Sequence, residues 1–132
     1  MKPLTLEWIE IAESDWDTAR REITIVDDSN FRAVCFHCQQ CAEKYLKAFI
    51  QELSIEPAYT HDLKVLLDDV VAHDSTFAPL RKSCVSLTTY AVSYRYPGSK
   101  PTVEEASQAL EDCGFIRNAF RAHFAILDEP AA

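Results

Sequence analysis

The segment Phe31–Leu53, with the sequence FRAVCFHCQQCAEKYLKAFIQEL, carries the longest and cleanest hydrophobic periodicity in the chain. Its apolar residues recur at steps of three and four, the spacing of one face of an α-helix. They are Val34, Cys35, Cys38, Cys41, Ala42, Tyr45, Leu46, Phe49, Ile50 and Leu53. Polar residues 27–30 precede the segment and offer N-caps. The segment therefore predicts a long helix with one buried face.

Four further segments show helical spacing. The first runs from about Thr5 to Ile25, the second from Asp62 to His73 with Thr60 as N-cap, and the third from a cap at Ser75 or Thr76 to about Tyr94. The fourth opens with the capping box Thr102-Val103-Glu104-Glu105. The expected inward residues are Trp8, Ile11, Ala12, Trp16, Ala19, Ile23, Leu63, Leu66, Leu67, Val70, Val71, Phe77, Leu80, Cys84, Leu87, Ala91, Ala106, Ala109, Leu110, Cys113, Ile116, Phe120, Phe124 and Leu127. We expect residues 1–132 to form one all-α domain, an antiparallel up-and-down bundle of four to five helices.

Glycine is scarce, and this excludes two classes of nucleotide site. The 132 residues contain two glycines, Gly98 and Gly114, where average usage gives about nine. Neither G-x-G-x-x-G nor G-x-x-x-x-G-K-[ST] can be written with them, so Rossmann and P-loop phosphate cradles are excluded. Gly114 lies inside the last predicted helix, where it costs about 1 kcal/mol relative to alanine and indicates close helix packing.

The net charge of −8 argues against a protein that coats nucleic acid over its whole surface. The acids are unevenly distributed, however, and none occurs between Asp74 and Glu104. That window holds four cations and three tyrosines: Arg81, Lys82, Tyr90, Tyr94, Arg95, Tyr96 and Lys100. Cations beside aromatic rings can bind a phosphate and stack a base. Alternatively, Arg95 complements the negative end of its own helix.

Nothing in the sequence predicts a membrane span or a secretory leader. No uncharged apolar run approaches the roughly 18 residues that cross a bilayer, and Glu7 and Glu10 interrupt the first turns. We therefore expect a cytoplasmic protein without membrane contact, whose five cysteines are reduced thiols.

Cys35, Cys38 and Cys41 form a C-x-x-C-x-x-C run that suggests a metal site. Spacings of three place the thiols on the same apolar stripe, whereas structural zinc usually takes four ligands from turns or knuckles. Free cysteine packs as a small hydrophobic residue. We favour core packing and expect no metal and no cofactor.

The same helix carries a polar strip, His37, Gln40, Lys44 and Lys47, spaced three, four and three. The strip is either a phosphate or partner surface, or a solvated or internally hydrogen-bonded face. His61-Asp62 is similarly ambiguous: Asp62 suits a helix N-terminus, while a His–Asp pair near Arg95 can orient a general base. The structural interpretation is preferred for His61-Asp62.

Several motifs resemble those of HEPN-domain proteins. Residues 35–48, CFHCQQCAEKYLKA, resemble the family's C-F-H-x-Q-Q-A-x-E-K-x-L-K-A helix, and residues 60–63 resemble its T-H-D-L. Residues 90–97, YAVSYRYP, resemble its Y-x-x-x-x-R-Y-P helix end, and residues 104–106 its E-E-A. The similarity covers nearly the whole chain with the motifs in the same order. It implies a small helical bundle, usually a homodimer and often paired with a minimal nucleotidyltransferase in toxin–antitoxin systems.

Many HEPN proteins are endoribonucleases that use an R-x4-6-H motif at the dimer interface. Here the eight residues after Arg95 contain no histidine. Arg117 and His123 match the motif literally, but six helical steps leave their side chains about 120° apart, so we interpret this match as coincidence. Whether the chain is an enzyme therefore stays open, and no catalytic residue is assigned.

The leading hypothesis is binding of a nucleotide or RNA phosphate. The predicted site residues are Arg95, Tyr94, Tyr96, His61, His37 and Lys44. The expected partners are a second copy of the chain and a minimal nucleotidyltransferase. The alternatives are a metal-independent endoribonuclease and a non-catalytic interaction module for the nucleotidyltransferase.

Overall fold

The computed structural model describes residues 1–126, and every regular element in that range is helical. The elements are α1 (Pro3–Ile23), α2 (Phe31–Glu52), α3 (Leu63–His73), a 3-10 segment (Ser75–Leu80), α4 (Arg81–Ser93) and α5 (Val103–His123). The predicted all-α bundle is confirmed. Within the described range no helix has both the length and the apolarity needed to cross a bilayer.

Helix α2 is the centre of the bundle, because α1, α3, α4 and α5 all pack against it. Its predicted stripe is buried as expected, with one exception at the end. Leu53 is 41% exposed because α2 stops at Glu52 and Leu53 caps it. The stripe thus supplies the core that holds the other four helices in place.

Helix α1 begins and ends about two residues earlier than predicted, with Pro3 at its first position, where the missing N–H has no cost. The prediction that Ile11 points inward is wrong: Ile11 is 46% exposed, and Ile9 is buried instead. The buried residues Thr5, Ile9, Ala12 and Ala19 follow steps of four, three and seven. A single seam therefore faces α2, and Ile11 lies beside it.

Side-chain caps fix where α2 and α3 begin. Asn30 caps α2 by accepting from the Ala33 backbone N–H at 3.0 Å. Asp62, and not Thr60, caps α3, since its carboxylate accepts from the Lys64 N–H at 3.0 Å. Thr60 instead accepts from the Asp62 N–H at 3.1 Å. The residues before each helix are thus held by short, local hydrogen bonds.

The predicted fourth helix is divided into a 3-10 segment and α4. Pro79 lies in the 3-10 segment and has no N–H to donate to an α-helical ladder. Asp74, rather than Ser75 or Thr76, provides the cap by accepting from the Thr76 N–H at 3.0 Å. Helix α4 then ends at Ser93, close to the predicted end at Tyr94.

The predicted capping box of α5 is present: the Thr102 hydroxyl accepts from the Glu105 N–H at 3.1 Å, and the Glu105 carboxylate accepts from the Thr102 N–H at 3.0 Å. Close packing at Gly114 is also confirmed, because a Cβ there would lie 3.4 Å from the Trp16 ring. Leu127, which was expected on the inner face, lies outside the described residues.

Candidate functional site

A cavity of about 410 Å³ opens between the first turns of α2 and the end of α4. We call it the Arg95 cavity. Its lining residues are Asn30, Arg32, Ala33, Cys35, Phe36, His37, Tyr90, Ala91, Tyr94 and Arg95. Three of the six predicted site residues, His37, Tyr94 and Arg95, therefore lie together.

The end of α4 supplies the aromatic wall of the Arg95 cavity. Tyr90 and Tyr94 are one helical turn apart, and their rings stack with centroids 6.1 Å apart and an interplanar angle of 24°. The Tyr94 hydroxyl hydrogen-bonds to the Glu105 carboxylate at the start of α5. This hydrogen bond, together with burial, raises the pKa of Tyr94 to about 12. Tyr94 is thus neutral and its ring is fixed in place.

Two guanidinium groups give the cavity its positive charge. The Arg32 Nη2 atom donates to the Ser99 carbonyl at 2.5 Å, while the Arg32 Nε is shielded from solvent and has no hydrogen-bond partner in residues 1–126. Arg95 directly follows Tyr94, the residue that caps the end of α4, and it forms no ion pair within the same described range. Sequence reasoning missed Arg32, although its position two residues after the Asn30 cap placed it in the first turn of α2.

His37 reaches the cavity with one of its ring nitrogens already engaged. The His37 Nδ1 lies 2.8 Å from a carboxylate oxygen of Asp15 on α1, and both side chains are mostly buried. Because an ionised carboxylate only accepts, Nδ1 is the donor in this contact. The Nε2 atom is then the nitrogen left for a ligand. Asp15 was not predicted, since only the packing of α1 on α2 brings it to His37.

Lys44 and His61 lie elsewhere, around the fully buried carboxylate of Glu43. The His61 Nδ1 is 2.9 Å from Glu43 Oε1, and the Lys44 and Lys47 ammonium groups lie 3.1 and 3.2 Å from Glu43 Oε2. Gln39 also donates to Glu43 at 3.2 Å. We call these five residues the Glu43 cluster. They do not line the Arg95 cavity.

The Glu43 cluster ties the loop before α3 to α2. Gln39 donates to the backbone carbonyl of His61 at 2.9 Å, in addition to its bond to Glu43. Burial alone would raise the pKa of Glu43, but the hydrogen bond from His61 and the charges of Lys44 and Lys47 lower it below the usual 4.5. The polar strip of α2 is thus largely engaged in internal contacts.

The remaining cations of the acid-free window are separate from the Arg95 cavity. Tyr96 is 63% exposed and does not line it. Arg81, at the other end of α4, pairs with Asp68 at 2.5 Å. Of the four cations of this window, which lies within the described residues, Arg95 alone lines the cavity.

All five cysteines are buried, unpaired thiols, which confirms the prediction that they pack in the core. Cys41 and Cys113 lie close enough to interact through their thiols. In the described part of the chain, no three histidine, cysteine, aspartate or glutamate side chains are placed to hold a metal ion.

Arg117 and His123, which match the R-x4-6-H motif literally, do not lie in one site. The Arg117 guanidinium binds the Glu13 carboxylate through two contacts of 2.7 Å. The His123 ring instead packs against Phe49 and Phe77, with centroids 5.1 and 5.5 Å away. Glu13 was missed by sequence reasoning, although its position four residues after Ile9 and three before Trp16 places it on the same side of α1 as these apolar residues.

Comparison with known proteins supports the family suggested by the motifs. The model of the HEPN domain matches residues 5–123. Two solved structures are similar: TT1696 from Thermus thermophilus (25% identity, TM-score 0.77, covering 90% of this chain and 96% of that one), and ST0689, an archaeal HEPN homologue (25% identity, TM-score 0.73, covering 93% and 98%). No curated protein matches the chain significantly. With a domain match over most of its length and two similar folds, the chain belongs to the HEPN-domain family.

Proposed function

We propose that this HEPN-domain protein binds the phosphate of a nucleotide or an RNA in the Arg95 cavity. The observation that carries the proposal is the convergence of the Arg32, Arg95 and His37 side chains with two stacked tyrosine rings. Guanidinium groups bind phosphate through charge-assisted hydrogen bonds, and aromatic rings stack bases without needing a particular sequence. Side chains would thus do what glycine-rich loops do in other nucleotide sites.

The electrostatics of the cavity support an anionic ligand. A buried donor without an acceptor costs about 1–3 kcal/mol, and the Arg32 Nε is such a donor. Arg95 adds a charge that no acid in residues 1–126 neutralises through an ion pair. An anion in the cavity would neutralise the charge of both guanidinium groups.

Lys44 and His61 would contribute only to a longer ligand. Lys44 lies seven residues after His37 on α2, which corresponds to about 10 Å along the helix axis. A mononucleotide phosphate in the Arg95 cavity does not span that distance, whereas an RNA strand along the α1–α2 edge does. Whether Lys44 and His61 contribute to binding therefore distinguishes an RNA ligand from a free nucleotide.

Titration of ATP, GTP and a short RNA against wild type and Arg95→Ala tests the proposal. We expect Arg95→Ala to weaken binding about 10- to 100-fold, the loss typical of one charge-assisted contact. Arg81→Ala, which removes the same charge at the opposite end of α4, is the matched control and should bind like wild type. Absence of binding to wild type, or equal binding by Arg95→Ala, would contradict the proposal.

We further propose that the protein is a homodimer and acts with a minimal nucleotidyltransferase as one component of a toxin–antitoxin pair. The support is the family, whose members often have this arrangement. Co-purification with the product of the adjacent gene tests the partner, and light scattering tests the dimer. A monomeric mass, or a neighbouring gene product that does not co-purify, would refute the corresponding statement.

A metal-independent endoribonuclease is the second candidate. It is favoured by the His37–Asp15 contact of 2.8 Å beside Arg95, because a carboxylate-held histidine can move a proton while arginine stabilises charge on phosphate. Incubation with total RNA in EDTA should then give cleavage that Arg95→Ala and His37→Ala abolish. His61→Ala would retain it, since His61 lies in the Glu43 cluster. An intact RNA profile with wild type would reject this candidate.

A further inference from the structure

The arrangement of donors in the Arg95 cavity matches the end of a phosphate better than the middle of a nucleic-acid chain. Three nitrogen-bearing side chains, Arg32, His37 and Arg95, line it together. A phosphate monoester presents three non-bridging oxygens and a charge of about −1.5 to −2 at pH 7. A phosphodiester presents two such oxygens and a single charge. When the His37 ring is charged, the three side chains can each donate to a different non-bridging oxygen only in the monoester.

The contact with Asp15 decides what His37 can offer. Since Nδ1 donates to the Asp15 carboxylate at 2.8 Å, Nε2 is an acceptor in the neutral ring and a donor in the charged ring. No residue in the described range hydrogen-bonds to Nε2. The other titratable groups of the cavity are Tyr90, Tyr94 and Cys35, and its permanent charges are Arg32 and Arg95.

A phosphate monoester and an imidazole ring can share one proton in either of two arrangements. Either the ring is charged and donates to the phosphate dianion, or the ring is neutral and accepts from the phosphate monoanion; both forms contain the same number of protons. A diester has no ionisable proton at neutral pH. Beside a neutral ring, its oxygen would face the Nε2 lone pair, and two acceptors repel each other.

We propose that the Arg95 cavity selects a nucleotide with a terminal phosphate monoester, such as a nucleoside 5′-monophosphate, and that His37 held by Asp15 is the residue that determines this selectivity. The proposal rests on the proposed function of the same cavity. Tyr90 and Tyr94 account for the nucleoside part, because their rings form the wall opposite the α2 donors. The terminal phosphate of a free nucleotide and the 5′-phosphate of an RNA end share this chemistry.

The experiment compares adenosine 5′-monophosphate with its methyl phosphate ester, in which a methyl group blocks one oxygen and removes the ionisable proton. Calorimetric titration of the full chain at pH 7 should give at least about tenfold tighter binding of the monophosphate, as expected when an acceptor–acceptor contact replaces one hydrogen bond. A pair of short RNAs with a 5′-phosphate or a 5′-hydroxyl distinguishes the RNA end from the free nucleotide as the source.

Two variants test the role of His37. His37→Ala removes Nε2, and Asp15→Asn no longer obliges Nδ1 to donate; in both, we expect the ratio of the two affinities to fall below about threefold. Arg81→Ala should keep the wild-type ratio, and circular dichroism should show that all variants keep their helical content. A merely structural role for His37 would weaken both ligands equally and leave the ratio unchanged.

The outcomes separate this inference from the proposed function. Equal binding of the monophosphate and its ester by wild type overturns the inference while phosphate binding itself stands. Selectivity that survives in His37→Ala overturns the role of His37. Failure of wild type to bind either compound overturns both the inference and the proposed function for nucleotides of this size.

Discussion

Glu13 and Arg117 are separated by 104 positions in the chain, yet both carboxylate oxygens of Glu13 lie 2.7 Å from nitrogens of the Arg117 guanidinium. Arg121 donates to the same carboxylate at 2.8 Å, and the Tyr45 hydroxyl donates at 2.7 Å. Burial alone would raise the pKa of Glu13, but the hydrogen bonds from Arg117 and Tyr45 and the charges of both arginines lower it below 4.5. One carboxylate thus joins α1, α2 and α5.

Glu13→Gln should destabilise the protein, because it removes the carboxylate that pairs with the mostly buried Arg117 guanidinium through two contacts. We expect the free energy of unfolding to fall by about 2 kcal/mol, less than the roughly 3–5 kcal/mol of a fully buried pair, because Glu13 keeps some solvent contact. Urea denaturation at pH 7 measures it. Asp17→Asn, which breaks an exposed pair with Arg20, is the control and should cost less than about 0.5 kcal/mol. Equal stability of the two variants would contradict this account of Glu13.

The stability of the wild type should decrease in acid below about pH 4.5. The pKa values of Glu13 and Glu43 are both lowered in the folded protein, so the unfolded chain binds protons that the folded chain does not. The stabilisation is fully present above the unfolded pKa near 4.5 and is lost as the pH falls through the lower folded values. Urea midpoints measured between pH 3 and pH 7 check this.

Replacing one of these carboxylates shows how much it contributes to the loss of stability in acid. Glu43→Gln should give a shallower loss of stability below pH 4.5 than wild type, while Glu10→Gln, at an exposed position of α1, should follow the wild-type curve. Identical slopes for wild type and Glu43→Gln would show that Glu43 does not contribute.

Gly114→Ala should be tolerated or slightly stabilising. Alanine gains up to about 1 kcal/mol over glycine inside a helix, and its Cβ would lie 3.4 Å from the Trp16 ring, an ordinary contact. Gly114→Leu should instead cost about 1–3 kcal/mol, because the larger side chain would displace that ring. Thermal unfolding of the two variants measures the difference, and a stable Gly114→Leu would mean that Trp16 can move away freely.

The five thiols should react slowly in the folded protein. Burial raises the pKa of the Cys35 thiol to about 11 and that of Cys84 to about 12, so the reactive thiolate is scarce at pH 8. Ellman's reagent should titrate five thiols rapidly in urea and none at a comparable rate without it. Fast reaction of a native thiol would contradict the burial of the cysteine stripe.

Much of the bundle could be predicted because its determinants are local. The stripe of α2, the Asn30 cap and the Thr102–Glu105 capping box each depend on residues at most four positions apart. The prediction failed where two neighbouring residues were about equally suited to the buried position. Ile9 and Ile11 both suit an apolar face, and only the contact with α2 selects Ile9.

The candidate site was predicted in part, for the same reason. The Y-R-Y-P helix end carries Tyr94 and Arg95 as neighbours, so the sequence places them together. Arg32 lines the cavity from α2, and Asp15 of α1 contacts His37. No local sequence pattern identifies either residue as part of the site. Conversely, His61 and Lys44 belong to the Glu43 cluster. The contact between His61 and Glu43 joins residues 18 positions apart in the chain.

The sequence by itself therefore determined the helices, the caps of α2 and α5 and the buried cysteine face, since helical periodicity and capping act over a single turn. Only the tertiary structure decided which charges meet. The partners of Glu13, Glu43 and His37 come from different helices, and their distances depend on how the helices pack around α2. For this protein, that packing separates the Glu43 cluster from the Arg95 cavity and brings Arg32 of α2 and Arg95 at the end of α4 to the same cavity.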